Sequence, residues 1–104
     1  MCGITGFWSF TKEQTPFSLD RLVQEMADQL TSRGPDSSGV WCHNEASVAF
    51  GHRRLSIVDL TETGHQPMVS ASGRFVITYN GEIYNAIDLR KDLEVKGHKF
   101  RGTS

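Results

Sequence analysis

Apolar residues at helical spacing in the first third of the chain constrain its fold more than any other feature. They occupy one helical face: Leu19, Leu22, Val23, Met26 and Leu30. Positions three and four residues apart lie on the same side of a helix, so this spacing predicts an amphipathic helix. Ser18 is expected to cap its start and Gly34-Pro35 to end it. Such a helix must bury its apolar face against another element.

Segments rich in β-branched and aromatic residues surround this helix and predict strands. The predicted strands cover residues 4–10, 40–42, 47–50, 55–60 and 75–79, and one more is expected to begin at 98–101. Residues 33–39 are predicted to form a turn segment, and residues 61–68 have the Gly and Pro of a loop. The link between strands 40–42 and 47–50 has the length of a hairpin connection.

A second helix is predicted near the end of the chain. Asn85 is expected to cap it, the helix itself covers residues 86–96, and Gly97 closes it. Strands, a helix, further strands and a helix therefore follow one another. This order predicts an α+β fold or a layered α/β sandwich.

Composition excludes several classes of function. The chain has 104 residues, with 11 Lys and Arg against 12 Asp and Glu, which gives a formal net charge of −1. This balance does not support a nucleic-acid or anionic-membrane surface, and no apolar run of about 18 residues predicts a membrane span. The amino-terminal segment lacks the basic region of a signal peptide. We therefore expect a cytoplasmic protein with two free thiols, Cys2 and Cys42.

Metal and nucleotide sites are not predicted within this chain. The four histidines, at positions 43, 52, 65 and 98, lack the spacing of metal ligands, and Cys42 has no second cysteine at a ligand spacing. Neither a phosphate-binding P-loop nor a dinucleotide-binding glycine motif occurs. We predict no metal and no cofactor here.

Cys2 is the first candidate for chemistry. The small side chain after Met1 makes removal of Met1 expected, and the same residue then carries a thiol and a free α-amine. Because an α-amine has a pKa of about 7.7–8.0, it can accept the thiol proton near neutral pH. The alternative is that Met-Cys occurs here by chance.

Three further residues near the ends of predicted strands are suited to binding an amino acid. Asn80 and Gly81 can direct a side-chain amide and a backbone N–H at one oxyanion, although Asn-Gly is also a common tight turn. Arg54 can form a bidentate pair with a carboxylate, or lie on the surface beside Arg53 as a solvated arginine. Glu82 can pair with an ammonium group, or be an exposed residue after a turn.

Five segments occur in an order that connects these candidates. They are residues 1–7 (MCGITGF), 33–36 (RGPD), 51–59 (GHRRLSIVD), 64–68 (GHQPM) and 79–85 (YNGEIYN). Together they resemble the class II glutamine amidotransferase domain of the glutamine-hydrolysing asparagine synthetase family, which has relatives in surface-polysaccharide synthesis. The resemblance extends over nearly the whole chain, and five ordered motifs are far more specific than any one of them.

The resemblance implies an N-terminal-nucleophile hydrolase fold, a four-layer αββα sandwich of which residues 1–104 form the N-terminal part. It implies that Cys2 is the nucleophile, that Asn80 and Gly81 form the oxyanion hole, and that Arg54 binds the α-carboxylate of glutamine. Glu82 matches a ligand of the glutamine amino group. The pocket lining would be Leu55, Ser56, Ile57 and Val58.

The same resemblance implies glutamine hydrolysis to glutamate and ammonia. The ammonia would supply an ATP-dependent amidation in a synthetase domain, normally in the same chain, where ATP and Mg²⁺ would be required. The family's domain is longer than this chain, and a further acidic ligand would follow Ser104. The sequence leaves open the amide acceptor, homo-oligomer formation and activity of this stretch alone. An inactive structural fragment and an amino-acid-binding module remain the alternatives.

Overall fold

The computed structural model describes residues 2–10, 18–55 and 64–102. In chain order its elements are β1 (Gly3–Trp8), α1 (Leu19–Asp28), β2 (Ser37–His43), β3 (Val48–Arg54), β4 (Met68–Val69), β5 (Val76–Ile77) and α2 (Ala86–Val95). The α+β class predicted from the sequence is therefore confirmed. Neither helix in the described ranges is long and apolar enough to cross a membrane.

The central structure is a three-stranded antiparallel sheet in the order β1-β3-β2. In this sheet Gly3 of β1 lies opposite Arg53 of β3, and Gly39 of β2 lies opposite His52 of β3. A turn over residues 44–47 joins β2 to β3, as the predicted hairpin requires. Cys2, which directly precedes β1, therefore lies beside the end of β3.

Helix α1 packs on one face of this sheet. Val23 and Ala27 are fully buried, and they lie over Gly51 of β3. A Cβ atom added at Gly51 would lie 3.2 Å from the Ala27 Cβ and 3.3 Å from the Val23 Cγ2. The apolar helical face predicted from the sequence thus packs closely on β3 at Gly51, which has no side chain. Because neighbouring strand residues point to opposite faces, His52 and Gly39 lie on the other face.

The start of α1 follows the prediction in position but not in detail. Ser18 occupies the N-cap position with extended backbone angles, but its side chain makes no capping hydrogen bond. Its hydroxyl instead donates to the Asp20 carboxylate, which lowers the pKa of that group, and the Arg21 backbone N–H acts in the same direction. The α-helix ends at Asp28, earlier than the expected stop at Gly34-Pro35.

Several predicted strand boundaries were wrong. Residues 37–39, expected in a turn, begin β2, and residues 52–54, expected before a strand, end β3. Only two residues of the predicted strand 75–79 pair, those of β5, and residues 98–101 form no strand. Of the predicted strand 55–60, only Leu55 lies within the described residues.

The second half of the described chain contains a short ladder and a helix. In the ladder, Met68 pairs with Ile77 and Val69 with Val76. Helix α2 confirms the predicted second helix. Asn85 occupies its N-cap position, and Gly97 follows with a φ of +92°, which a glycine adopts without strain. None of the α2 residues is buried.

Candidate functional site

The Cys2 thiol lies against the backbone that follows β3. The Leu55 N–H donates to the Cys2 Sγ at 3.2 Å, and the Sγ lies 3.7 Å from the Leu55 carbonyl oxygen. These contacts follow from the register, because pairing of Gly3 with Arg53 places the preceding residue beside the end of β3. The backbone contacts fix the side-chain direction of Cys2, and the N–H is a donor that a sulfur anion can use.

The Cys2 carbonyl is held by two side chains from distant parts of the sequence. The Asn80 Nδ2 donates to the Cys2 oxygen at 2.9 Å, and the Arg33 Nε donates to it at 3.4 Å. Asn80 is separated from Cys2 by 78 positions. The structure therefore brings the predicted nucleophile and one predicted oxyanion donor into direct contact, while their catalytic roles stay predictions.

A side chain holds the segment before Asn80 through a backbone N–H. The Gln66 Oε1 accepts a hydrogen bond from the Tyr79 N–H at 2.6 Å. The Tyr79 backbone also acts to raise the pKa of the His52 imidazole. The Tyr79 side chain turns over Gly81, where an added Cβ would lie 2.7 Å from the Tyr79 Oη. The backbone directly before Asn80 thus has a defined direction.

The two adjacent arginines of β3 point to opposite faces of the sheet. The Arg53 Nε donates to the Gly34 carbonyl at 2.9 Å on the face that α1 covers. Arg54 is only 8% exposed and belongs to the opposite face. The alternative of two solvated surface arginines is therefore wrong for Arg54. A buried guanidinium at the strand end that neighbours Cys2 is suited to binding an anionic group.

His52 is the most deeply buried ionisable group of the site. It is 1% exposed, and its Nε2 has no hydrogen-bond partner among the described residues. Burial lowers its pKa below the ordinary value of 6.5; the Tyr79 carbonyl acts in the opposite direction, and His65 and Arg54 lower the pKa further. The ring is therefore neutral at pH 7 and carries one N–H.

The remaining predicted site residues differ in how far the structure describes them. Glu82 is exposed next to Gly81. Ser56, Ile57 and Val58 lie outside the described residues. Both cysteines are free thiols. In the described ranges, no three His, Cys, Asp or Glu side chains are placed to hold a metal ion.

Sequence reasoning missed the residues that support the site. Arg33, His52 and Gln66 all stand in the five motifs, but no role was assigned to any of them. The Leu55 N–H was also missed as the donor to the Cys2 sulfur. No local pattern in the sequence signals these contacts, because they join residues that are far apart along the chain.

Comparison with known proteins gives a consistent result. A family model described as a glutamine amidotransferase domain matches residues 1–104. Glutamine-hydrolysing asparagine synthetases 3 and 1 of Bacillus subtilis are 48% and 41% identical, and each match covers 100% of this chain and 16% of the relative. Glutamine-hydrolysing asparagine synthetase 2 of Oryza sativa subsp. japonica is 44% identical with the same coverage. The chain thus spans about a sixth of the length of these relatives. No solved structure matches significantly.

Proposed function

This chain belongs to the glutamine amidotransferase domain family, and from that premise we propose that Cys2, freed of Met1, hydrolyses glutamine to glutamate and ammonia. The observation that carries the proposal is the 2.9 Å hydrogen bond from the Asn80 amide to the Cys2 carbonyl. It puts a side-chain donor next to a thiol whose own α-amine can serve as its base. The activity that membership implies, glutamine-dependent amidotransfer, needs this combination of nucleophile, base and oxyanion donor.

The reaction proceeds in two steps. The Cys2 thiol transfers its proton to the α-amine, and the sulfur attacks the glutamine carboxamide carbon. The oxyanion that forms accepts hydrogen bonds from the Asn80 Nδ2 and the Gly81 N–H. The C–N bond then breaks, the leaving nitrogen takes a proton from the α-ammonium, and a γ-glutamyl thioester remains. Water hydrolyses the thioester, which releases glutamate and restores the thiol.

The contact between Asn80 and Cys2 also predicts a rearrangement during turnover. In the free site the Asn80 amide donates to the Cys2 carbonyl. An oxyanion is a stronger acceptor than a neutral carbonyl, so the amide is expected to redirect towards it. Because the gain appears only when charge develops, this donor favours the transition state over the ground state.

Glutamine recognition is assigned to the residues around Cys2. The buried Arg54 binds the α-carboxylate in a bidentate pair, and the exposed Glu82 attracts the α-ammonium. Leu55, Ser56, Ile57 and Val58 line the pocket. Of these, Leu55 already contacts the sulfur through its backbone. The two charged residues recognise the zwitterionic end of an amino acid and leave its side chain directed at the thiol.

The wider context is part of the same proposal. We assign the chain to the N-terminal part of an αββα N-terminal-nucleophile hydrolase domain in a cytoplasmic protein. A sheet covered by α1 on one face and contacted by residues 65–66 on the other supports this layering. The ammonia would serve an ATP- and Mg²⁺-dependent synthetase domain in the same protein. The similarity to glutamine-hydrolysing asparagine synthetases, of which this chain covers 16%, supports this part of the proposal.

The experiment compares the two cysteines of the chain, each replaced by alanine in the full chain. We expect Cys2→Ala to reduce ammonia release from glutamine to background. Cys42→Ala should leave it close to wild type, because Cys42 lies in β2 away from the site. Equal ammonia release from wild type and Cys2→Ala would overturn the assignment. Glutamine binding without ammonia release in a wild type that lacks Met1 would support an amino-acid-binding module instead.

A further inference from the structure

Gln66 has no part in the mechanism above, yet it joins the segment before β4 to the backbone that carries the oxyanion donors. Its Oε1 accepts a hydrogen bond from the Tyr79 N–H at 2.6 Å, across 13 positions of sequence. The Gln66 backbone lies against β2, because a Cβ atom at Gly39 would overlap the Gln66 carbonyl and would lie 2.6 Å from the His65 Nε2. The glutamine therefore reaches Tyr79 from a backbone that itself packs on the three-stranded sheet.

The contact at Tyr79 bears on both proposed oxyanion donors. Asn80 follows Tyr79 directly, and a Cβ atom at Gly81 would lie 2.7 Å from the Tyr79 Oη, so the phenol lies over Gly81. Because a peptide unit is planar, a hydrogen bond to the Tyr79 N–H fixes the orientation of the whole unit that precedes Asn80. One acceptor thus restricts the backbone from which the Asn80 side chain and the Gly81 N–H extend.

A second hydrogen bond holds the same backbone in the free site, and turnover is expected to remove it. The Asn80 Nδ2 donates to the Cys2 carbonyl at 2.9 Å. In the proposed reaction this amide leaves the carbonyl and turns towards the oxyanion. Of these two hydrogen bonds, the one to Gln66 is then the one that persists while charge develops.

We propose that Gln66 is a positioning residue that holds Asn80 and Gly81 in place for the oxyanion through the Tyr79 N–H. This inference rests on the proposed glutaminase function. Oxyanion stabilisation depends on donors that are fixed before charge develops, so loosening this backbone lowers the rate even when both donors are present.

A packing role for Gln66 makes a different prediction. Methionine has a similar length and shape but lacks the amide oxygen, whereas glutamate keeps an oxygen acceptor at the Oε1 position. If the side chain only fills space, methionine replaces it; if the acceptor matters, glutamate does. Gln24 provides a matched control, because it is a half-buried glutamine of α1 whose Nε2 donates to the Asp28 carboxylate at 2.9 Å.

The experiment measures kcat and KM for glutamine in the full chain with Gln66→Met, Gln66→Glu and Gln24→Met. Loss of one oxyanion donor costs about 10²–10³ in kcat, so a misaligned donor should cost at least about tenfold. We expect Gln66→Met to lower kcat by that factor with little change in KM, Gln66→Glu to recover most of the rate, and Gln24→Met to match wild type. Wild-type kcat in Gln66→Met, or an equal loss in Gln66→Glu or Gln24→Met, would overturn the role of Gln66.

A second measurement separates this inference from the proposed function. In ¹⁵N-labelled protein, Gln66→Met should speed hydrogen exchange of the Tyr79 amide and shift the Asn80 side-chain and Gly81 backbone signals, while the Gly3 and Gly6 signals of β1 stay in place. Gln66→Glu should keep the Tyr79 amide protected. Unchanged exchange and unchanged Asn80 and Gly81 signals in Gln66→Met would overturn the inference. Absence of glutaminase activity in wild type would remove the proposed function, and the exchange of the Tyr79 amide would still test the alignment.

Discussion

Cys2 directly precedes β1 and is not one of its paired residues, so other contacts must hold it in place. Here its sulfur meets the Leu55 N–H at 3.2 Å and its carbonyl meets the Asn80 amide at 2.9 Å. These two polar contacts fix the positions of both the backbone and the side chain of Cys2. A nucleophile needs a fixed position, because a displacement of about 1 Å can reduce a reaction rate by two orders of magnitude.

The titration of His52 predicts how acid affects stability. In the folded chain burial holds its pKa below 6.5, whereas in the unfolded chain the pKa returns to about 6.5. Between these two values the unfolded chain binds more protons, so the free energy of unfolding decreases as pH falls through that window. Above pH 6.5 this contribution is fully present.

His52→Asn removes this titration, so we expect its Tm to depend less on pH than that of wild type over about pH 7 to 5. Thermal unfolding in a pH series measures the difference. All other ionisable groups are common to both proteins. Parallel Tm curves for wild type and His52→Asn would contradict the buried, neutral state of this ring.

The two helices differ in what holds them to the molecule. Helix α1 buries Val23 and Ala27 against the sheet, whereas α2 buries no residue. Within α2, Arg90 and Glu94 form an ion pair at 3.0 Å. Such an exposed i,i+4 pair contributes only about 0.3–0.5 kcal/mol. Packing therefore stabilises α1 and mainly local interactions stabilise α2 within the described residues.

A pair of matched valine substitutions tests this difference. Val23→Ala removes two buried methyl groups over Gly51 and should lower the free energy of unfolding by about 2 kcal/mol. Val95→Ala is the control, because Val95 is 89% exposed, and it should change the free energy by less than about 0.5 kcal/mol. Denaturant unfolding measures both. Equal effects of the two substitutions would refute the packing of α1.

The sequence predicted those helices and boundaries that depend on residues close together along the chain. The apolar spacing of α1 and the Asn85 and Gly97 boundaries of α2 depend on neighbouring residues, and the structure confirms them. The strand predicted at residues 75–79 failed over most of its length, because pairing needs a partner and, in the part of the chain that the structure describes, only Met68–Val69 lies opposite. Strand formation at 37–39 was missed because their partners in β3 are distant along the chain.

The candidate site was predictable in residue type but not in contact geometry. The motifs indicated Cys2, Asn80 and Arg54 as candidate nucleophile, oxyanion donor and carboxylate-binding residue. They did not indicate that Asn80 donates to the Cys2 carbonyl, or that Gln66 accepts a hydrogen bond from the Tyr79 N–H. Those contacts connect positions far apart in sequence, so they follow from the fold and not from any local pattern.

At the scale of the whole molecule, polar contacts connect the three-stranded sheet to the segment that contains the β4–β5 ladder. They include the hydrogen bond from the Asn80 amide to the Cys2 carbonyl. Large apolar side chains in the second half are exposed: Phe75, Ile77, Tyr79, Ile83, Tyr84, Ile87, Leu89, Leu93, Val95 and Phe100. The site therefore depends on a few directional hydrogen bonds between two parts of the chain.

The most direct test of the central claim is mass spectrometry of the full chain after acid quenching during turnover with glutamine. We predict a chain that lacks Met1 and carries a γ-glutamyl thioester on Cys2, absent from Cys2→Ala and present in Cys42→Ala. Ammonia release by a chain that retains Met1, or a glutamyl adduct on any other residue, would contradict the account.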